Sequence, residues 1–342
     1  YSEPVHKVMS LSELKCHLHT LPEKPDAIPY LTTYYERKWG FCMTHNQFSS
    51  LKEGDYEICI NSSLKSGNIV LGEIVLPGET QEEIFFSSYS CHPSLANNEL
   101  SGPILIAILY HFLSSLPARR YTYRFYLGPE TIGALAYLSL RSQLLLERMK
   151  AGFLVTCCGD RGNFTYKQGR DPANSFDRIV VHTLKSSEVP FTLVPFFPTG
   201  SDDRQYCSPG FNLPMGTLSR SMYGTYPEYH TSKDNLDFVT ADSMFESFIV
   251  LLNLIYVLEK NKKYQTLNPY GEPMLGKYGL YPSVGGKVKG NFDFTRSLRF
   301  LLNFSDGQHD LVDIAERFGS PVWGFEEHLE KLINARLLSI IY

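Results

Sequence analysis

Residues 90–102 read SCHPSLANNELSG. They follow the apolar run IFFSSYS (84–90), which has the composition of a buried strand, and lead into GPILIAILYHFLSSL (102–116), an apolar helix. A loop that only had to turn would need Gly, Pro and Ser. This one carries an imidazole, two amides and a carboxylate, and in an open α/β sheet the carboxyl ends of strands are where ligands bind. The plain structural alternative is a polar loop, with Pro93 as its turn residue and Ser94 or Asn97 capping the helix.

Outward from this stretch, strand-like and helix-like segments alternate. EEIFFSSYS, RYTYRFYLGPE, AGFLVTCCG, VPFTLVPFF and FNLPMGTLSRS read as strands. Helices are expected at GPILIAILYHFLSSL, TIGALAYLSLRSQLLLERM, FDRIVVHTLKS and 241–260. Such alternation predicts an α/β fold: a mixed, mostly parallel sheet with helices on both faces, spanning 81–263. Ahead of it, 1–27 holds a short amphipathic helix, LSELKCHLHTL. Residues 28–80 hold TTYYERKWGFCMTH, YEICINSSL and NIVLGEIVLPGE, separated by the turn signals KEGD and KSGN; they predict a small inserted antiparallel β unit. Residues 264–290 are rich in Gly, Pro and Tyr and read as a linker. The last unit, 291–342, shows short amphipathic helices and then LLSIIY as a strand, the pattern of a winged helix.

Composition narrows the function. Of 342 residues 43% are apolar and 20% charged, enough for a substantial core. A net charge of −4 gives no general attraction to nucleic acid or anionic membrane. From Gln308 to Tyr342 the basic residues are Arg317, Lys331 and Arg336, against Asp310, Asp313, Glu316, Glu326, Glu327 and Glu330. That balance argues against DNA reading and favours packing or partner binding, homo-oligomerisation included. The longest apolar candidate, FESFIVLLNLIYVLEK, carries charged residues and an Asn and reads as a buried helix rather than a membrane span. The chain opens YSEPVHKVMS, without a basic start and apolar stretch. Its 7 cysteines form no CxxC pair. Free thiols in a reducing cytoplasm are therefore expected. Cys91 beside His92 raises a Cys–His nucleophile, but neighbours on a strand point to opposite faces.

The opening pattern recurs at other strand ends: Glu130 in GPETIG, Asp160 in CCGD, Asp202, Asp203 and Arg204 in GSDDRQY, and Glu228, His230 and Asp234 in YGTYPEYHTSKDN. Strand ends in one sheet can converge on one rim. Two histidines and a carboxylate with one open position make a catalytic zinc site, and a free carboxylate beside it can take a proton from water. Each residue also has a structural alternative: His92 as a satisfied core histidine, Glu130 as a favourable charge at a helix start, Asp202–Arg204 as a structural ion pair.

These motifs resemble the zinc aminopeptidase superfamily, which runs His, G-A-x-D-x-x-S-G, E-E-x-G, S-D with G-x-P, and Y-H-T. Here they stand as His92, LANNELSG, PETIG, GSDDRQYCSPGFNLP and YHTSKDN. More closely still, the whole chain resembles bacterial aminopeptidase-like proteins linked to polysaccharide biosynthesis, which end in a winged helix. The resemblance implies a further N-terminal segment in the group, and makes 28–80 an insertion in the peptidase fold. Asn98 replaces the aspartate that bridges two zincs, and Thr131 replaces the second glutamate of the pair. The resemblance then implies one zinc on His92, Glu99 and His230, with Glu130 as general base and Asp160 as a second choice of ligand. Arg204 would bind a substrate carboxylate, Asp202 or Asp203 would hold an amino terminus or orient His230, and Tyr226 and Tyr229 would line the pocket or pack. The expected activity is hydrolysis of a peptide or amide bond in a small substrate. The alternatives are an amidohydrolase acting on a sugar-linked amide, and a degenerate peptidase that only binds.

Overall fold

The computed structural model of the chain describes residues 1–92, 94–171, 175–281 and 289–341. Pro93, expected as a turn residue, lies outside the described residues, as does the 282–288 part of the expected linker.

A 7-stranded sheet forms the body. Its order is Phe191–Val194, Phe164–Lys167, Met215–Ser219, Met149–Val155, Glu83–Tyr89, Thr122–Gly128 and Gly72–Leu76. The four strands from Met215–Ser219 to Thr122–Gly128 run parallel to their neighbours. Gly72–Leu76 on one side and Phe164–Lys167 on the other pair antiparallel. The sheet is mixed and mostly parallel, as expected.

Alternation along the central strand explains why both faces need cover. Ile84 and Phe86 enter one apolar cluster with helices Ser101–Ser115, Ser175–Ser186 and Ala241–Lys260. Phe85 and Tyr89 enter another, under helix Ile132–Arg148. Side chains on a strand point alternately up and down, so an unbroken apolar run is the mark of a strand covered twice. Helix Ala241–Lys260 is long and apolar enough to cross a membrane. Here its Val250, Leu251, Leu254, Ile255 and Leu258 are buried in the first cluster.

Three boundaries differ from the expectation. The strands of 28–80 do not pair among themselves: Asp55–Ile60 pairs with Val5–Ser10, and Phe41–Cys42 with Leu18–His19. Gly72–Leu76 belongs to the main sheet, where Glu73 and Glu83 both hold Arg124, at 2.5 and 2.6 Å. Lys263–Thr266, which runs across the expected boundary between the core and the linker, is the middle strand of a 3-stranded sheet with Asp306–Asp310 and Leu338–Ile341. That sheet and helices Lys289–Phe304, Leu311–Phe318 and Glu326–Asn334 form the winged-helix unit. The unit shares the first apolar cluster through Leu298, Ile314, Phe325 and Leu338. Arg178 of the body bonds Asp310 and Asp313 at 2.6 and 2.9 Å.

Candidate active site

Because the four central strands are parallel, their carboxyl ends share one rim, and the polar residues past those ends meet there. The SCHPSLANNELSG stretch leaves Tyr89, turns, and enters a π-helical turn, Ala96–Leu100, ahead of helix Ser101–Ser115. Such turns often occur at functional sites. Gly102 lets the helix approach the sheet: a Cβ there would stand 2.2 Å from the Val155 carbonyl oxygen.

Asp234 ties this stretch to the loop bearing His230. Its carboxylate accepts the backbone N–H groups of Asn97 and Asn98 at 2.5 and 3.0 Å, capping the turn. The His92 and His230 rings consequently lie 4.9 Å apart, centroid to centroid. The Tyr229 ring stacks on His230 at 3.9 Å. Burial and the neighbouring His92 push the His230 imidazole down to about 4, so it is neutral at ordinary pH. Its Nε2 is buried without a partner.

Glu99 is buried and bonds His92 Nδ1. The same carboxylate accepts the Cys91 N–H at 2.5 Å and the Asn98 side-chain amide at 2.9 Å. Glu130 follows Thr122–Gly128 and forms a tight turn, in which the Ile132 N–H reaches the Glu130 carbonyl at 2.7 Å around Thr131, φ 62° and ψ −70°. That conformation is strained for a β-branched residue. Ser94, Cys157 and His230, near the same rim, also have positive φ; strained residues of this kind cluster at functional sites. Burial raises the Glu130 carboxyl, against the opposing pull of His92, Ser201 and Arg204. Among the described residues, the three whose ligand atoms all lie within 4.8 Å of one another are Cys91, His92 and Glu130.

The remaining expected residues fall into two groups. Tyr229 and Arg204 are at the site, the latter donating to Thr131 Oγ1 at 3.2 Å with its Nε left unpartnered. Asp202 is fully buried beneath the turn, its Oδ1 accepting the Thr131 N–H at 2.6 Å. Burial pushes its carboxyl up to about 8. Asp202 therefore holds the turn through Oδ1, while its Oδ2 is buried without a partner. Asp160 is taken up by Asn97, Gly162 and Ser221, through bonds of 2.6 to 3.2 Å, and serves as a loop anchor. Asp203 pairs with Lys167 at 2.7 Å. Cys91 does meet His92, Sγ to Nδ1 at 3.2 Å, because the strand ends at Tyr89 and its alternation no longer applies. Burial and Glu99 push that thiol up to about 12, which leaves little thiolate.

Tyr30 is the contact that the sequence did not reveal. Its ring lies 4.7 Å from that of His92 and 5.3 Å from that of His230, and its N–H donates to the His230 carbonyl at 2.9 Å. The aromatic density of PYLTTYYERKW was the available signal.

With this geometry in view, comparison with known proteins is informative. Residues 5–261 match the family described as a domain of unknown function, DUF4910, and residues 262–340 match the winged helix-turn-helix family. The chain belongs to the DUF4910 family. A Clostridium acetobutylicum protein, provisionally named a polysaccharide biosynthesis protein with an aminopeptidase-like domain, is 43% identical over 341 residues, which is 100% of this chain and 78% of that protein. A crystal structure provisionally described as that of a peptidase from Clostridium acetobutylicum superposes with a TM-score of 0.93 at 41% identity, covering 100% of this chain and 77% of the other. BSAP, a zinc aminopeptidase from Bacillus subtilis, superposes at 0.52 with 15% identity, over 72% of this chain and 64% of its own. The fold is that of the aminopeptidases, and the C-terminal unit is a winged helix.

Proposed function

We propose that the chain hydrolyses a peptide or amide bond with a single zinc ion, using His92, Glu99 and His230 to hold it and Glu130 to move the proton. The observation that carries this is the pair of imidazoles 4.9 Å apart, flanked by two carboxylates. The residues fit a zinc ion in kind, and since Glu99 and His230 stand outside the group whose ligand atoms lie within 4.8 Å of one another, they would draw toward His92 on binding. The buried His230 Nε2 has no protein partner, and the His92 imidazole and Glu99 carboxylate, which bond each other, would be the other two donors. Two imidazoles and a carboxylate are a catalytic zinc donor set. When bound, the ion supplies Lewis acidity.

The other roles belong to the chain. Glu130, made a weaker acid by burial, accepts a proton from water and returns it to the leaving nitrogen. Arg204, partly exposed beside the Glu130 turn, is the cation that would meet a substrate carboxylate. Tyr30 and Tyr229 hold the imidazole rings and keep bulk water from them. A small peptide or amide is the substrate class.

A second donor set is favoured by one observation, the mutual approach of Cys91, His92 and Glu130. Zinc content measured on Glu99→Gln and Glu130→Gln separates the two. The first reading expects Glu130→Gln to keep zinc and lose turnover of aminoacyl anilides or acylated amino sugars; the second expects it to lose zinc. Absence of zinc from the parent protein after dialysis against trace metal would favour a protein that only binds.

A further inference from the structure

We infer that Lys167, remote in sequence from every site motif, is the positioning residue that fixes the Glu130–Thr131 turn. It lies at the end of strand Phe164–Lys167 and is 1% exposed. Its ammonium forms an ion pair with Asp203 at 2.7 Å and donates to the Thr199 carbonyl and the Tyr223 hydroxyl, each at 3.1 Å. The Phe197 ring faces the same charge with its centroid at 4.1 Å.

These partners bracket a stretch that is otherwise irregular. Between strand Phe191–Val194 and the short helix Asp203–Tyr206 the chain has no regular backbone pairing. It passes through Gly200 at φ +90°, where a Cβ would strike the Tyr223 ring at 2.0 Å. Yet this stretch and the helix it enters supply the supports of the turn. Asp202 accepts the Thr131 N–H at 2.6 Å, and Arg204 donates to the Thr131 hydroxyl at 3.2 Å. Thr131 has the positive φ that surrounding structure must impose. Lys167 grips the stretch at Thr199 and Asp203, on both sides of Ser201 and Asp202. A buried ion pair is seldom a net stabiliser compared with an apolar pair of similar size, so a purely stabilising role would be met by replacing both partners.

That difference supplies the test. Its catalytic meaning rests on the proposed role of Glu130, but the readout needs no substrate and no metal, so the two readings fail separately. Hydrogen exchange is followed at the Thr131 and Ile132 amides in Lys167→Met/Asp203→Leu and in Tyr223→Phe, alongside the thermal midpoint. Tyr223→Phe removes one acceptor and leaves the ion pair intact. The expected result is a thermal midpoint near the parent's, with exchange at these amides faster by about tenfold or more in the double variant and by a smaller factor in Tyr223→Phe. Parent-like exchange at Thr131 and Ile132 in either folded variant overturns the inference.

Discussion

The His92 and His230 rings lie 4.9 Å apart, with their planes 33° from parallel. The Asp234 carboxylate brings them together by capping the turn that follows His92 from a position shortly after His230. One side chain thus joins two motifs far apart in the chain. Asp234→Ala leaves the Asn97 and Asn98 amides without their acceptor, and loss of such a cap costs about 1 kcal/mol. The expected outcome is a modest fall in the urea midpoint, together with a larger fall in zinc affinity. Unchanged zinc affinity would separate Asp234 from the site.

Glu130→Gln keeps the shape of the side chain and removes its capacity to take a proton. Turnover is expected to fall by about 10²–10⁴, the range typical of a lost general base, with zinc content preserved. Full turnover in this variant would remove Glu130 from the mechanism.

His230→Ala and His92→Ala each take away an imidazole donor. Zinc raises the thermal midpoint of the parent, because a ligand that binds only the folded state stabilises it. Neither variant is expected to show that rise. Differential scanning calorimetry with and without zinc makes the comparison.

The rim of the sheet was legible in the sequence because it depends on local signals. An apolar run bounded by polar residues marks a strand and its end, and parallel order then puts His92, Glu130 and the 220–234 loop on one side. Tyr30 was not legible, since its approach depends on the single bridge of Pro29 to Thr231. The edge strand Gly72–Leu76 was read with its sequence neighbours because its partner, Thr122–Gly128, is distant in the chain. Strand Phe164–Lys167 escaped because FTYK contains a lysine, and the Asp203 that permits its burial lies far along the chain. Asp202 and Asp160 have the residue type of site groups, but burial and hydrogen bonds with Thr131, Asn97 and Ser221 give them structural work, and sequence carries neither.

The winged-helix unit gives its own prediction. Glu326, at the start of helix Glu326–Asn334, pairs with Lys260 of the body at 2.8 Å, and Trp323 meets the Tyr256 ring. The exposed first turn of that helix carries Glu326 and Glu327, whose charge opposes entry into a DNA groove. Fluorescence anisotropy with duplex DNA at low salt is expected to show no binding. Arg178→Ala, which leaves Asp310 and Asp313 without their cation, is expected to cost about 2 kcal/mol in urea unfolding.

His182 makes stability depend on pH. It is buried with Arg178, Lys185, Asp310 and Glu316 around it, and burial together with the two cations lowers it from 6.5 to about 4. The unfolded chain thus takes up a proton first as pH falls. The contribution is full above 6.5 and is lost between there and about 4. Urea midpoints at pH 7.5 and 5 are expected to differ less for His182→Gln than for the parent; an equal difference would remove His182 from that dependence.

Anomalous scattering at the zinc absorption edge, from crystals of the zinc-loaded protein, tests the central claim most directly. One peak is expected, within bonding distance of nitrogens of both His92 and His230 and of an oxygen of Glu99. A peak bonded to only one of these imidazoles, or none on this rim, would contradict it.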